Sequence, residues 1–205
     1  MNYMNPQVDQ LFYLIVLIFS IVIHEVAHGY AALYYGDTTA RDHGRLTLNP
    51  LKHIDLFGSI ILPLILFMTG SPYMVGWAKP VPYNPMRLTN EKKGTRFVAV
   101  AGILANLIIV AVFVVIIRSF SAYMSESMIQ LSLLVILVNL VLATFNLLPV
   151  PPLDGSKILA SFMSPRMREI VEYPRGGLMI VFFIVAIFLW QYLAPLVFRL
   201  YSLLV

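Results

Sequence analysis

The chain has no cysteine, so neither a disulfide framework nor a thiolate-bound metal is open to it. It is also short of charge. Asp, Glu, Lys and Arg make up 12% of its 205 residues, where a soluble domain carries roughly 25%. Lys and Arg exceed Asp and Glu by 14 to 10, for a formal charge of +4. That small excess does not call for a nucleic-acid partner, because positive charge gathered in cytoplasmic loops accounts for it in a membrane chain. What the sequence has is apolar bulk: 60% hydrophobic residues and a mean hydropathy of +0.83. A soluble globule of this size could not hide so much apolar surface, so lipid is the solvent for most of the chain. The length suits one domain, with no internal repeat and no low-complexity tract. Residues 1–205 therefore read as a single integral-membrane domain, with no room for an appended soluble one.

A helix that spans a bilayer needs about 20 mostly apolar residues. Four segments meet that need: Gln10–Tyr35, Phe97–Ile117, Ile129–Leu148 and the over-long Gly177–Leu204, tilted or interrupted near Pro195. The first has no basic stretch ahead of it and contains Ser20, His24 and Glu25, so it is expected to be retained rather than cleaved as a signal. A fifth apolar run, Leu56–Met68, is only 13 residues long with Pro63 at its middle. The basic residues decide how to treat it. Arg41, Arg45 and Lys52, then Lys79, Arg87, Lys92, Lys93 and Arg96, then Lys157, Arg166, Arg168 and Arg175 fall in three loops, leaving Arg118 and Arg199 elsewhere. If Leu56–Met68 enters and leaves on one side, all three loops share one face, which positive-inside bias makes cytoplasmic. The expected fold is an all-α membrane protein: a polytopic transmembrane helical bundle with a re-entrant element and a small membrane-associated extended or β region around Pro72–Pro85. Two readings of that stretch stand side by side: an extended edge that pairs with an unwound substrate segment by strand addition, or a surface loop.

The chemistry begins inside the first helix. His24 and His28 stand four residues apart, so both imidazoles leave one helical face a turn apart and can reach one metal ion. Glu25 is rotated about 100° from His24, placed to hold a water without being a ligand. This is the His-Glu-x-x-His arrangement of zinc hydrolases, in which the metal lowers the pKa of its water to about 7 and the carboxylate takes the proton. Hydrogen-bonded packing is the plain alternative. It is weakened here because an acidic residue at mid-helix in lipid is costly, by about 2.5–3.5 kcal/mol on insertion scales.

A catalytic zinc takes three protein ligands and keeps one position open. His43 and His53, both in loop 36–55, are available. Asp154 is the better candidate. It follows Pro149, Pro151 and Pro152, which end a helix and favour an extended path back along the bundle, and Gly155 permits a tight turn after it. His28 lies about 12 Å short of the helix end expected at Gly36, counting 1.5 Å per residue. The third long helix ends on the same face, so both pieces approach one shallow, cytoplasm-facing site. A solvated turn remains the alternative for Asp154.

With these residues in place the chain resembles the site-2 protease family of intramembrane zinc metalloproteases. The likeness is carried by His24-Glu25-Val26-Ala27-His28, Gly44 through Pro50, Gly76 through Pro82, Ala101 through Asn106, and Asn146 through Gly155. It spans about positions 20 to 160, and the first and last elements are the specific ones. The resemblance implies one Zn²⁺ per chain held by His24, His28 and Asp154, with Glu25 activating water. It also implies a substrate-binding role for Asn146 on the peptide backbone or the oxyanion. Ile103 stands where the family commonly has Pro, a departure that touches helix packing rather than the metal. Relatives often carry PDZ or CBS domains; this chain looks like the short branch without them. The expected reaction is hydrolysis of a peptide bond in or near a transmembrane segment of a membrane-protein or peptide substrate, with the lipid bilayer as setting, and the expected place is the plasma membrane with the site toward the cytoplasm. A metal transporter is the competing class. It would spread ionisable residues across both halves of the bilayer, and ion flux in proteoliposomes separates the two.

Overall fold

The computed structural model describes residues 6–69, 77–164, 167, 171 and 177–205. Apolar sequence in lipid must satisfy its own backbone, and helices do so within one segment. Among the described residues, four helices are long and apolar enough to cross a membrane, over Phe12–Tyr34, Glu91–Tyr123, Glu126–Asn146 and Val181–Leu204. Seven α-helices appear among the described residues, numbered here α1 to α7: α1 (Pro6–Tyr34), α2 (Thr39–Asp42), α3 (Leu62–Met68), α4 (Glu91–Phe120), α5 (Glu126–Asn146), α6 (Asp154–Ala160) and α7 (Leu178–Leu204).

Local chemistry sets the ends. α1 stops where Gly36 takes a φ of +95°. The Gly36 N–H then donates to the Leu33 carbonyl and the Asp37 N–H to the Ala32 carbonyl, both at 3.0 Å, closing the helix with a left-handed glycine. α4 begins at Glu91, ahead of the apolar run expected from Phe97, because the Asn90 side chain accepts the Lys93 N–H at 3.0 Å and Glu91 sits in the first turn. Hydropathy sees the buried length of a helix and misses its charged extension. α5 ends at Asn146 rather than Leu148, as the approaching Pro149 demands.

The short apolar run Leu56–Met68 is helical throughout, a π-helical Leu56–Ile61 running into α3. Pro63 has no N–H to give the preceding turn, and a wider turn absorbs the mismatch. Its 13 residues extend about 20 Å, short of a hydrocarbon layer of roughly 30 Å. The extended region expected at Pro72–Pro85 lies partly outside the described residues. Its described part, 77–84, is irregular chain, and no strand occurs among the described residues. Main-chain bonds anchor it: the Trp77 N–H to Gly58 O at 3.2 Å and the Lys79 N–H to His53 O at 2.8 Å. The Asp37 carboxylate accepts the Asn84 N–H at 2.5 Å.

α1 packs against α4 and α5, α5 against α7, and α6 against α4. One apolar cluster joins Val110, Ile117, Ile136, Leu140 and Val197. A second, of Leu148, Val150 and Ala186, clamps the proline-rich segment onto α7. Outward on α7, Val181, Phe183, Ile184, Ile187 and Phe188 are all more than half exposed, a surface suited to lipid.

Candidate metal centre

His24 and His28 are both buried on α1 and turn their Nε2 atoms to one point. The two Nε2 atoms lie 3.0 Å apart. Asp154 Oδ2 lies 3.0 Å from His24 Nε2 and 3.1 Å from His28 Nε2. The structure thus brings together two residues of α1 and one from about 130 positions later.

How Asp154 arrives follows from the chain before it. Pro149 ends α5, the Val150 N–H bonds to Leu148 O at 2.8 Å, and the Leu153 N–H to Val150 O at 3.0 Å. α6 then starts at Asp154. Gly155 is pressed against the Leu147 and Leu148 carbonyls, where any Cβ would collide with backbone. The close approach of α4 has the same signature at Gly102. A Cβ there would fall 2.5 Å from His28 Cε1 and 2.7 Å from His24 Cε1. Gly102 is therefore where α4 meets the imidazole rings.

The outer nitrogens of both rings are engaged. His28 Nδ1 donates to the Val98 carbonyl at 2.7 Å and His24 Nδ1 to Asn106 Oδ1 at 2.6 Å. Since carbonyl oxygens only accept, each ring carries its proton on Nδ1 and points a lone pair from Nε2. Two imidazole lone pairs and a carboxylate oxygen facing one another at 3.0–3.1 Å repel unless a cation lies among them. Ligands about 2.0–2.1 Å from a tetrahedral zinc are about 3.3 Å from each other, so spacing and donor set both fit that ion.

The second oxygen of Asp154 is taken: Lys157, one turn on, donates to Oδ1 at 3.0 Å. Glu25 also comes within reach, its carboxylate and the two imidazoles offering atoms within 4.8 Å of one another. Yet Glu25 Oε2 accepts the Val81 N–H at 2.7 Å, and Asp154 lies closer to both rings. Asp154 thus stands nearer than Glu25 to the point that both rings face. Arg45 ties down the segment carrying Val81, its Nη2 donating to Lys79 O at 2.8 Å and Pro80 O at 3.2 Å.

The other sequence-predicted residues are placed otherwise. His43 Nδ1 bonds to Thr39 O and His53 Nε2 to Thr47 O, each engaged with a carbonyl of its own loop. Asn146 closes α5 with its Nδ2 donating to Leu142 O at 3.0 Å. Sequence reasoning missed Lys157, the Val81 N–H, Ser20 and Asn139. Lys157 sits at i+3 from Asp154, and Asn139 is a polar residue within an apolar run. Both are readable signals once Asp154 is suspected.

A helical membrane bundle with a buried two-histidine, one-carboxylate centre beside a glutamate is the architecture of a membrane metalloprotease. Comparisons with known proteins agree. Residues 115–190 match peptidase family M50, a stretch that includes Asp154 but not the histidine pair. A protein of Bacillus subtilis (strain 168) named "Putative zinc metalloprotease YwhC" is 37% identical over 177 residues, covering 83% of this chain and 77% of that protein. "Putative zinc metalloprotease Rip2" of Mycolicibacterium smegmatis (strain ATCC 700084 / mc(2)155) is 29% identical over 172 residues, covering 79% of this chain and 61% of that protein. No solved structure matches. The chain belongs to peptidase family M50, the site-2 protease family.

Proposed function

We propose that this chain is an intramembrane zinc protease that hydrolyses peptide bonds in or near transmembrane segments of other proteins. The observation that carries the reading is the triangle of His24 Nε2, His28 Nε2 and Asp154 Oδ2, with sides of 3.0–3.1 Å, beside Glu25. His24, His28 and Asp154 would hold one Zn²⁺. Zinc in such a site supplies a Lewis acid for the scissile carbonyl and a water acidified to a pKa of about 7. Glu25 accepts that water's proton and passes it to the leaving amine. The Val81 N–H leaves Glu25 its second oxygen for this work and fixes its direction. Lys157 leaves Asp154 a single oxygen for the metal. Family resemblance assigns Asn146 to the substrate main chain or the oxyanion.

A helical substrate hides its scissile carbonyl in intrahelical bonds, so it must unwind before it is cut. The twelve basic residues of the three polar loops argue for a cytoplasmic site in the plasma membrane, with residues 1–205 acting as one domain. Glu25→Gln is the test. Metal analysis should find zinc retained, while cleavage of a membrane-embedded substrate is lost. A Glu25→Gln protein that still cuts at the wild-type rate rules out the assignment.

A further inference from the structure

Behind the centre lies a buried polar chain that the reaction itself does not use. Asn106 on α4 and Asn139 on α5 are both 0% exposed, and Ser20 on α1 is 4% exposed. Asn106 Nδ2 donates to Asn139 Oδ1 at 2.8 Å. Asn139 Nδ2 donates to Ser20 Oγ at 2.9 Å and to the Val135 carbonyl at 2.9 Å. At the other end, Asn106 Oδ1 meets His24 Nδ1 at 2.6 Å.

An amide has one accepting and one donating end, so each bond in such a series fixes the polarity of the next. The Val135 carbonyl can only accept, which forces the Asn139 NH₂ toward it and the Asn139 oxygen toward Asn106. That oxygen calls for the Asn106 NH₂, and so presents the Asn106 oxygen to His24. An oxygen there admits only a protonated Nδ1. We infer that Asn139, acting through Asn106, sets the tautomer and ring direction of His24. Nε2 is then aimed inward, toward the point where a metal would sit. The inference rests on the metal-centre reading given above. Both are positioning residues: neither touches the substrate.

Polar side chains also join helices in lipid simply as glue. Such a role predicts lost stability and no preference for either tautomer. The directional chain predicts more, and outer partners of metal-bound histidines commonly change affinity by about 10–100-fold.

The test uses the full chain in lipid nanodiscs. ¹⁵N NMR of the metal-free protein reads which His24 nitrogen carries the proton, and chelator competition reads zinc affinity. The wild type should show a proton on Nδ1 of His24. Asn106→Leu should yield a mixture or Nε2–H, and weaken zinc by about 10–100-fold. Asn106→Asp, which still offers an oxygen to Nδ1–H, should keep the Nδ1–H tautomer. Asn139→Leu, which leaves Asn106 in place but frees it to turn, should give a smaller shift of the same kind and serves where Asn106→Leu fails to fold. If both Leu variants retain Nδ1–H and wild-type affinity, the inference is overturned. If the wild type takes up no zinc, the metal-centre reading falls instead, and the tautomer measurement still decides this one.

Discussion

Two buried groups of residues share α4 and α5 and are held by different forces. In the apolar one, the buried side chains are Val110, Ile117, Ile136 and Leu140, joined by Val197 of α7. Around His24 they are Ser20, His28, Asn106, Asn139 and Asp154, nearly all hydrogen-bonded across helices. In lipid the apolar group gains nothing from escaping water, since acyl chains are as apolar as leucine. It gains close packing and tolerates exchange of shape. The polar group has no such freedom, because every side chain in it needs a particular partner at a particular angle. Specificity is concentrated in one group and generic cohesion in the other.

The largest expected break in that contrast is Asp154→Ala. It takes away the carboxylate that closes the triangle and leaves Lys157 without its partner. Bound zinc, read by metal analysis beside the wild type, should fall below stoichiometric, and proteolysis should vanish. Full zinc occupancy in this variant would show that the third ligand lies elsewhere. Next comes Gly102→Ala, a change of one methyl group. Its Cβ would sit 2.5 Å from His28 Cε1 and 2.6 Å from His28 Nε2, so the ligand rings must move. A displacement near 1 Å at reacting groups costs about 10²-fold in rate, and kcat/KM should drop by about that much. An alanine at Gly102 with unchanged kinetics would mean that the helices separate at no cost, and the polar group would then be no more exacting than the apolar one.

These same residues differ in how plainly the amino-acid sequence announces them. His24 and His28 are legible because their relation is set by one helix, and a 3.6-residue repeat needs no tertiary knowledge. The convergence of Asp154 is legible only through the prolines at 149, 151 and 152, which bar the α5 helix from continuing. The four spans are legible from apolar length, though not their charged first turns, which depend on the caps at Asn90 and Ser125. The Asn106–Asn139 link is hidden because it depends on how α4 and α5 rotate against each other. The Val81 donor is hidden for a deeper reason: a backbone N–H leaves no mark in the sequence. The expected extended edge falls partly among residues outside those described.

That backbone donor gives the next prediction. Val81→Pro removes the N–H that holds Glu25 Oε2, in a stretch already flanked by Pro80 and Pro82. Hydrogen bonds to charged groups contribute about 1.5–3 kcal/mol. If half of that acts in the transition state, kcat falls by about 3- to 13-fold. Zinc content should stay at the wild-type level, since the lost N–H bonds Glu25 and not His24, His28 or Asp154. Loss of zinc along with rate would mean that the segment shapes the metal site itself rather than the base.

The smallest effect belongs to the apolar group, and its size is the measure of the comparison. Ile136 is wholly buried against Val110, Leu140 and their neighbours. Ile136→Val deletes one methylene from that cluster. In water-soluble cores such a change costs about 0.5–1.5 kcal/mol, part of it the lost transfer from water. Within lipid that transfer contribution is absent, leaving dispersion contacts alone. The expected loss is therefore at or below the bottom of that range, a small fall in the thermal midpoint in detergent. kcat/KM and zinc affinity should not change. A drop in either beyond about twofold, which corresponds to roughly 0.4 kcal/mol at the conversion of 1.36 kcal/mol per tenfold, would show that packing around Ile136 reaches Asn139, three residues further along α5. The two groups would then be one mechanical unit, with the polar group set by the shape of the apolar one.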